Sequence, residues 1–415
     1  MLKLFIVAPH FPPSALPPSQ RIRLMMPYMK KNNVEVTIFT IDHNYREEIA
    51  DPWMVELCGN DYKTVMVKCI SQKVSRKFKF GDLGFRMAPF LLFKLLKEIK
   101  KNKPDFILFP VPPWNLLMIV PIIYKLTGVT YGIDYIDPWI VKDMNNGFKQ
   151  KFSQTIARIF EKRVLKHASV IFAVSEGINR QIKDDYPFIE ESQLIAVPYG
   201  GEAKDYQYFS IDNSAPRNCP LIRYVGGIGP DMPEVERAVL QALKKISLQK
   251  KLKAEFIGSS YAGKGLAKPV LTEMIKQYDL HDVVYEQPDR VSYKEAVELS
   301  VTADMLLLFG GMKTYYAASK LMGMLLSGKP LVAFVHRESF PADFLKRIDF
   351  QYIVTYSGNE GDLPVDHVNE LSNVIANLLN NLNGFSKVPV ETTDLKNYTA
   401  EAMTNVFIEN IKKYV

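Results

Sequence analysis

Short apolar runs alternate with helical stretches along the chain, and this alternation constrains the fold more than any other sequence feature. Apolar runs of roughly four to eight residues without polar alternation are typical of parallel strands that are buried on both faces. The helical stretches between them supply the crossovers that parallel strands require. The sequence therefore predicts an α/β fold in which helices cover both faces of parallel sheets.

The apolar runs divide into two series. Thirteen runs are predicted to be strands, at residues 4–8, 35–40, 64–67, 106–110, 130–133, 170–173, 194–197, 221–225, 255–257, 283–285, 305–308, 331–334 and 352–355. The chain of 415 residues is too long for one core, and a polar, proline-containing stretch interrupts the pattern near residues 205–220. The sequence predicts two facing, doubly wound Rossmann-like domains with a cleft between them.

The domain boundaries follow from the same pattern. Residues 1–205 are predicted to form the first domain, residues 206–218 a linker and residues 219–390 the second domain. Residues 391–415 are predicted to end in a helix that crosses back to the first domain. Ligands of doubly wound sheets bind at the carboxyl ends of the strands, so the functional residues are expected in the loops that follow the strands.

Charge and cysteine content limit the class of protein. Residues 1–195 hold 28 basic and 19 acidic side chains, whereas residues 196–415 hold 24 and 26. The three cysteines have no CxxC spacing, which argues against a disulfide framework or a zinc site, and the histidines show no metal spacing. The longest apolar run, residues 114–124, is shorter than a membrane-spanning helix. No basic helix or aromatic platform suggests nucleic acid binding.

Residues 73–103 interleave lysine and arginine with phenylalanine and leucine. A basic amphipathic stretch with aromatic side chains is typical of a segment that lies on a membrane surface. The alternative is a helix that packs its apolar face on the core and exposes its lysines to solvent. The first interpretation predicts an anionic membrane surface as a partner.

The segment 318–334 predicts an amphipathic helix, a Gly-Lys-Pro turn and a buried strand. Ser319 and Lys320 fall in the first turn of this helix, where free N–H groups and the helix dipole favour an anion such as a diphosphate. A plain capped helix is the alternative. Neither a GxGxxG fingerprint nor a P-loop is present.

Several segments occur together in an order that resembles one family. These segments are FPP, DYIDPW, EKRVLKHASVIFAVSEGI, AVPYGGE, RYVGGIG, AEFIGS, VVYEQPDRVSYKEAVELSVTADMLLLF and ASKLMGMLLSGKPLVAF. Together they resemble GT-B glycosyltransferases close to family 4. The resemblance implies transfer of a hexosyl or related sugar from a nucleotide diphosphate donor to a glycan or lipid-linked acceptor. It also implies retention of configuration, no cofactor or metal, and a place in cell-surface polysaccharide or glycolipid assembly. The expected location is cytoplasmic, with peripheral attachment at the inner membrane face.

The resemblance also implies roles for individual residues. The donor-binding residues are expected to be Gly226, Gly227, Gly258, Arg290, Val291, Ser319 and Lys320. The acceptor-side residues are expected to be His10, Ser14, Arg21 and Arg23. Lys320 would neutralise the leaving diphosphate, and Asp134 or Asp137 would orient an acceptor hydroxyl or act as a base. Caps, turns and solvated surface residues are the structural alternatives for each of these positions.

The chain also departs from the family pattern. Pro17 and Pro18 stand near the usual first-loop Gly-Gly pair, and Gly227-Ile228 replaces an Arg/Lys pair. Tyr315 and Gly323 occupy the positions of two glutamates, of which the second holds the donor ribose in the family. These departures keep a second hypothesis open, a non-catalytic binding or scaffold protein of the same fold. A sugar-nucleotide epimerase of this fold is a weaker alternative, because no cluster of carboxylates and histidines is visible.

Overall fold

The chain forms two compact units. The computed structural model describes residues 1–46, 50–77, 81–140, 148–209, 219–229, 232–262, 265–358, 363, 365–391 and 393–415. The first unit consists of Met1–Pro198 and Glu401–Val415, and the second of Tyr199–Ala400.

The first unit is built on a seven-stranded parallel sheet in the order β3-β2-β1-β4-β5-β6-β7. The strands are β1 (Leu2–Val7), β2 (Val34–Ile41), β3 (Tyr62–Val67), β4 (Phe106–Val111), β5 (Tyr131–Tyr135), β6 (Val170–Ala173) and β7 (Leu194–Ala196). The helices are α1 (Pro17–Met29), α2 (Pro52–Glu56), α3 (Gln72–Lys77), α4 (Leu83–Asn102), α5 (Val120–Thr127), α6 (Phe148–Leu165) and α7 (Glu176–Asp185).

The second unit repeats the design with a six-stranded parallel sheet in the order β10-β9-β8-β11-β12-β13. The strands are β8 (Leu221–Val225), β9 (Lys253–Ile257), β10 (Val284–Gln287), β11 (Met305–Phe309), β12 (Leu331–His336) and β13 (Ile353–Tyr356). The helices are α8 (Ala203–Gln207), α9 (Pro233–Ser247), α10 (Thr272–Gln277), α11 (Tyr293–Val301), α12 (Leu321–Leu326), α13 (Phe340–Arg347) and α14 (Val365–Asn380).

The central strands are apolar because both of their faces are buried. Every residue of β4, β11 and β12 is buried. In the second unit, one core cluster packs α9 and α14 on one face of the sheet, and another packs α12 and α13 on the opposite face. This two-faced burial is the arrangement that uninterrupted apolar runs predict. The predicted fold class, two doubly wound α/β domains, is confirmed.

The last helix, α15 (Ala400–Ile411), ends the chain within the first unit. The ring of Phe407 lies 4.3 Å from the ring of Phe172 in β6. The side-chain amide of Asn32 donates to the side-chain oxygen of Asn405 at 2.9 Å. These contacts attach the C-terminal residues to the sheet that begins at the N-terminus.

The boundary between the units falls before the predicted linker. Residues 210–218 of that linker lie outside the described residues. The preceding segment already belongs to the second unit, because Gly201 forms a bridge with Thr399 and α8 packs against α12. A polar, proline-containing composition marks a connection, but it does not report where the packing of the chain changes.

Candidate functional site

The second unit has its topological switch point between β8 and β11. The chain leaves β8 toward β9 on one side and leaves β11 toward β12 on the other, while β8 and β11 are neighbours in the sheet. Loops that diverge in this way open a crevice at the carboxyl ends of the two strands. The loop after β8 begins with Gly226, and the loop after β11 leads to Lys320.

Lys320 is anchored at this switch point. Its Nζ donates to the carbonyl oxygen of Val225, the last residue of β8, at 3.1 Å. The same ammonium lies 4.0 Å from the centre of the Tyr224 ring, within the range of a cation–π contact. Tyr224 in turn stacks on Phe309, the last residue of β11, with the ring centres 4.2 Å apart. The lysine is therefore held by β8, and the Tyr224 ring beneath it packs on β11.

Gly226 provides the space for this ammonium. A Cβ atom at this position would lie 2.2 Å from Lys320 Nζ, and the backbone φ of +144° is itself unfavourable for any other residue. A Cβ on the next residue, Gly227, would lie 2.8 Å from the ring of Tyr261. Larger residues at these two positions would displace the Lys320 ammonium or the Tyr261 ring from the positions they occupy.

Burial changes the acidity of Lys320. Burial, together with the nearby positive charge of Arg290, lowers the pKa of the ammonium to about 7. A negatively charged ligand beside Nζ would favour the charged form and raise the pKa again. An anion bound beside Nζ would therefore change the protonation of Lys320 near neutral pH.

Two neighbouring loops complete this edge of the sheet. The guanidinium of Arg290, after β10, lies 5.1 Å from the centre of the Tyr261 ring, after β9. A Cβ on Gly258 would lie 3.5 Å from Arg290 Cα, so the two loops are in close contact. Val291 is half-buried and precedes Ser292, whose hydroxyl caps α11. The structure thus brings the predicted donor-side residues together at one edge.

The predicted helix start needs a correction. Helix α12 begins at Leu321 and has six residues, so Ser319 and Lys320 precede the helix and do not lie in its first turn. Lys320 is the N-cap residue and makes no side-chain capping bond, while Ser319 is exposed. Lys320 instead extends toward β8. The helix is short because Gly328 and Pro330 follow it closely.

Sequence reasoning did not identify three tyrosines of this region, Tyr206, Tyr224 and Tyr261. A Cβ on Gly323 in α12 would lie 2.1 Å from the hydroxyl oxygen of Tyr206 in α8. A hydroxyl therefore occupies the space that any larger residue at position 323 would need. A glycine inside an otherwise apolar helix was the sequence signal for this close approach.

In the first unit, Arg21 and Asp134 form a buried ion pair. The guanidinium donates to both carboxylate oxygens at 2.7 and 2.9 Å and to the carbonyl oxygen of Val197 at 2.8 Å. Neither side chain is exposed to solvent. Phe407 of the terminal helix lies under the guanidinium, with its ring centre 5.0 Å away. We therefore correct the roles expected for Asp134 and Arg21, because a closed, buried pair presents no free group to an acceptor.

The other first-unit candidates are placed differently from one another. Ser14 is fully buried and accepts from the backbone N–H of Leu16 at 3.4 Å. Arg23 is buried and donates to the side-chain oxygen of Gln20 at 2.9 and 3.2 Å. Burial therefore also argues against an acceptor-side role for Ser14 and Arg23. His10 is half-buried at the carboxyl end of β1.

Asp137 remains accessible after β5. Its side chain is exposed, and its backbone carbonyl accepts from the indole N–H of Trp114 at 3.2 Å. This bond ties the loop after β5 to the loop after β4 and fixes the backbone of Asp137. Of the two predicted aspartates, Asp137 is the one that a ligand can reach.

The part of the chain that the structure describes shows neither a metal-binding cluster nor a helix able to span a membrane. Within these residues, no cluster of three or more His, Cys, Asp or Glu side chains could hold a metal ion. Among the helices described, none combines the length and apolar character needed to span a bilayer. None of the three cysteines forms a disulfide; two are buried and one is half-buried.

The fold and the first domain match known glycosyltransferases. Residues 19–200 match the model of the family described as Glycosyltransferase Family 4. Among solved structures, HepE from Anabaena in complex with UDP is similar over 100% of both chains, with 13% identity and a TM-score of 0.64. Sucrose-phosphate synthase from Thermosynechococcus elongatus is similar over 100% of this chain and 95% of its own, with 12% identity and a TM-score of 0.62.

A glycosyltransferase from Rickettsia africae is similar over 100% of this chain and 98% of its own, with 14% identity and a TM-score of 0.60. No curated protein sequence matches the chain. The chain therefore has the two-domain GT-B fold of these solved structures. Its first domain resembles glycosyltransferase family 4, as its sequence predicts.

Proposed function

We propose that this protein transfers a sugar from a nucleotide diphosphate donor to a glycan or lipid-linked acceptor. The observation that carries the proposal is the position of Lys320 at the β8–β11 switch point, beside Gly226 and near Arg290. A doubly wound sheet binds its ligand at such a point. Two basic side chains there suit a ligand with more than one negative charge.

The chemistry follows from where charge develops. In the transfer, the bond between the sugar C1 and the β-phosphate oxygen breaks, and C1 forms a bond to the acceptor oxygen, which loses its proton. Negative charge grows on the departing diphosphate, so a nearby ammonium stabilises the transition state more than the ground state. We assign this role to Lys320, and Gly226 leaves room for its ammonium.

Other residues would position the two substrates. We assign Arg290 and Val291 to binding of the nucleotide. Gly227 and Gly258 would let the nucleotide approach the protein backbone closely. Exposed Asp137 is our candidate for orienting the acceptor hydroxyl or accepting its proton, with half-buried His10 at the same edge of the first sheet. Retention of configuration is our expectation from the family resemblance.

The donor ribose requires a different contact here than the resemblance implies. Gly323 stands where a glutamate would be, and the hydroxyl of Tyr206 fills the space beside it. We propose that this hydroxyl supplies the polar group on the ribose side of the site. A neutral donor in place of a carboxylate would also reduce the negative charge that faces the diphosphate.

Uridine nucleotides are the first donors to test, because HepE was solved with UDP and with UDP-glucose. A thermal-shift panel of nucleoside diphosphates should identify the base, since a ligand at 100 times its Kd stabilises by about 2.7 kcal/mol. A panel of the matching sugar nucleotides, assayed for release of the diphosphate with and without membrane lipid extract, then tests transfer. Failure of every nucleotide to shift the melting temperature would contradict the proposal.

The alternative is a non-catalytic binding protein of the same fold. The replacement of the glutamate pair by Tyr315 and Gly323 favours it. The two functions differ in one result. A nucleoside diphosphate that binds tightly, with no release of diphosphate from any sugar nucleotide in the presence of lipid extract, would support the binding protein over the enzyme.

A further inference from the structure

We propose that the outer faces of α4 and α5 dock the protein on an anionic lipid bilayer. This surface, here called the α4–α5 surface, consists of apolar Phe90, Phe93, Ile122 and Leu126 with basic Lys97 and Lys101. Both helices belong to the first unit and pack against each other. The inference concerns where the proposed enzyme works, and its test is independent of donor binding.

The exposed apolar side chains are the first observation. Phe93 is 75% exposed and Phe90 42%, while Leu126 and Ile122 on the neighbouring helix are 64% and 46% exposed. The inner face of α4 is already occupied, since Leu91, Leu95 and Ile99 are buried in the core. The outward apolar side chains therefore contribute nothing to that core, and leaving them in water costs free energy.

The arrangement of lysines on the same helix is the second observation. Phe93, Lys97 and Lys101 follow one another at four-residue spacing, which places them in one row on the helix surface. Lys97 and Lys101 are exposed, and within the described ranges neither has a carboxylate partner. Along this row, one exposed aromatic ring is therefore followed by two lysines that no carboxylate among the described residues pairs with.

This combination favours a bilayer over a protein partner. The centres of protein–protein interfaces are depleted in lysine, whereas membrane-surface helices combine phenylalanine and leucine with lysine. At a bilayer, the aromatic rings enter the interface, while the lysine stems extend to the anionic headgroups. The attraction fades within a Debye length, so it should be sensitive to salt.

Vesicle flotation of the full chain tests the inference. Vesicles of phosphatidylcholine alone are compared with vesicles that also contain phosphatidylglycerol, at low and high salt. We expect the wild-type protein to float with the anionic vesicles at low salt and less at high salt. The double variant Lys97→Ala/Lys101→Ala should bind about 30-fold more weakly, which corresponds to about 1 kcal/mol for each lysine. Phe93→Ser should weaken binding roughly tenfold.

The second unit supplies matched controls. Leu248 is 75% exposed, the same as Phe93, so Leu248→Ser tests the loss of one exposed apolar group elsewhere. Lys251 and Lys276 are exposed, and their double alanine variant tests the loss of two charges. Both controls should float like the wild type, and all variants should keep its melting temperature because the altered side chains lie outside the core.

Three results would overturn the inference. The first is that the wild-type protein does not float with anionic vesicles, which would make a protein partner the better explanation of the surface. The second is that Phe93→Ser and the lysine variant float like the wild type. The third is that the second-unit controls lose as much binding as the α4 variants. A melting-temperature rise with a nucleoside diphosphate alongside any of these would leave the proposed function standing.

Discussion

At the scale of single residues, Lys320 and Gly226 depend on each other. The ammonium occupies space that a Cβ on Gly226 would fill, and the ring of Tyr224 supports it from another side. The position of the Lys320 ammonium therefore depends on having glycine at residue 226. A substitution at either residue should affect the same ligand contact, which makes their coupling measurable.

Gly226→Ala should weaken binding of a nucleoside diphosphate about as much as Lys320→Met, because the new methyl group displaces the ammonium. The double variant should lose little more than either single variant. Calorimetric titration of all three provides the comparison. Gly59→Ala is the control, since Gly59 also has a positive φ, +69°, but its Cβ would meet nothing within 4 Å. Full additivity of the two changes would show that the residues act separately.

The acidity of Lys320 predicts a pH dependence of binding. In the free protein its pKa is about 7, so at pH 8 most molecules carry a neutral amine. A bound diphosphate raises this pKa, so binding takes up a proton and the affinity should fall as pH rises above 7, by at most about tenfold per pH unit. The phosphate groups of the ligand have a second pKa of about 6, so above pH 7 their titration contributes little to the fall in affinity.

Calorimetry at pH 8 in two buffers of different ionisation enthalpy measures the proton uptake directly. We expect uptake approaching one proton for the wild type and almost none for Lys320→Met. Equal uptake by the two proteins would assign the proton to another group.

At the scale of elements, the Arg21–Asp134 pair joins α1 to β5 and reaches the carbonyl that follows β7. Removing one partner of a buried ion pair leaves an unpaired charge, which costs about 3–5 kcal/mol. Arg21→Met should therefore destabilise by that amount in urea unfolding. The double variant Arg21→Met/Asp134→Leu should recover part of the loss, because it buries no unpaired charge.

The burial of Asp134 in this pair predicts a structural role for Asp134 and leaves Asp137 as the catalytic candidate. Asp134→Asn should reduce stability, whereas Asp137→Asn should change it by less than about 0.5 kcal/mol because Asp137 is exposed. Only Asp137→Asn is expected to lower transfer without lowering stability. A stable but inactive Asp134→Asn protein would restore Asp134 as a catalytic candidate.

At the scale of the whole molecule, the sheets could be predicted from the sequence, but much of the site could not. The strands are predictable because an apolar run of strand length has few alternatives once both faces must be buried. The Arg21–Asp134 pair joins residues 113 positions apart, and no local pattern reports such a contact. Tyr206 and Tyr261 are likewise placed by packing against glycines that are distant in sequence.

The start of α12 shows how a local pattern can mislead. Ser-Lys before an apolar run is a frequent helix start, but the contacts of Lys320 with Val225 and Tyr224 draw it away from the first turn. Tertiary contacts decided where its ammonium lies. The sequence suggested the candidate residue, but it did not predict these contacts with β8.

Calorimetric titration of the wild-type protein and Lys320→Met with UDP, or with the nucleoside diphosphate that stabilises it most, tests the central claim most directly. Methionine keeps an apolar stem over Tyr224 and removes the charge and the N–H donors. The β8–β11 site predicts that the variant keeps its melting temperature and binds about 1.5–3 kcal/mol more weakly, the contribution of a hydrogen bond to a charged group. Lys346→Met, at an exposed lysine of the same domain, should bind like the wild type. Unchanged affinity of Lys320→Met would contradict the claim that Lys320 binds the diphosphate.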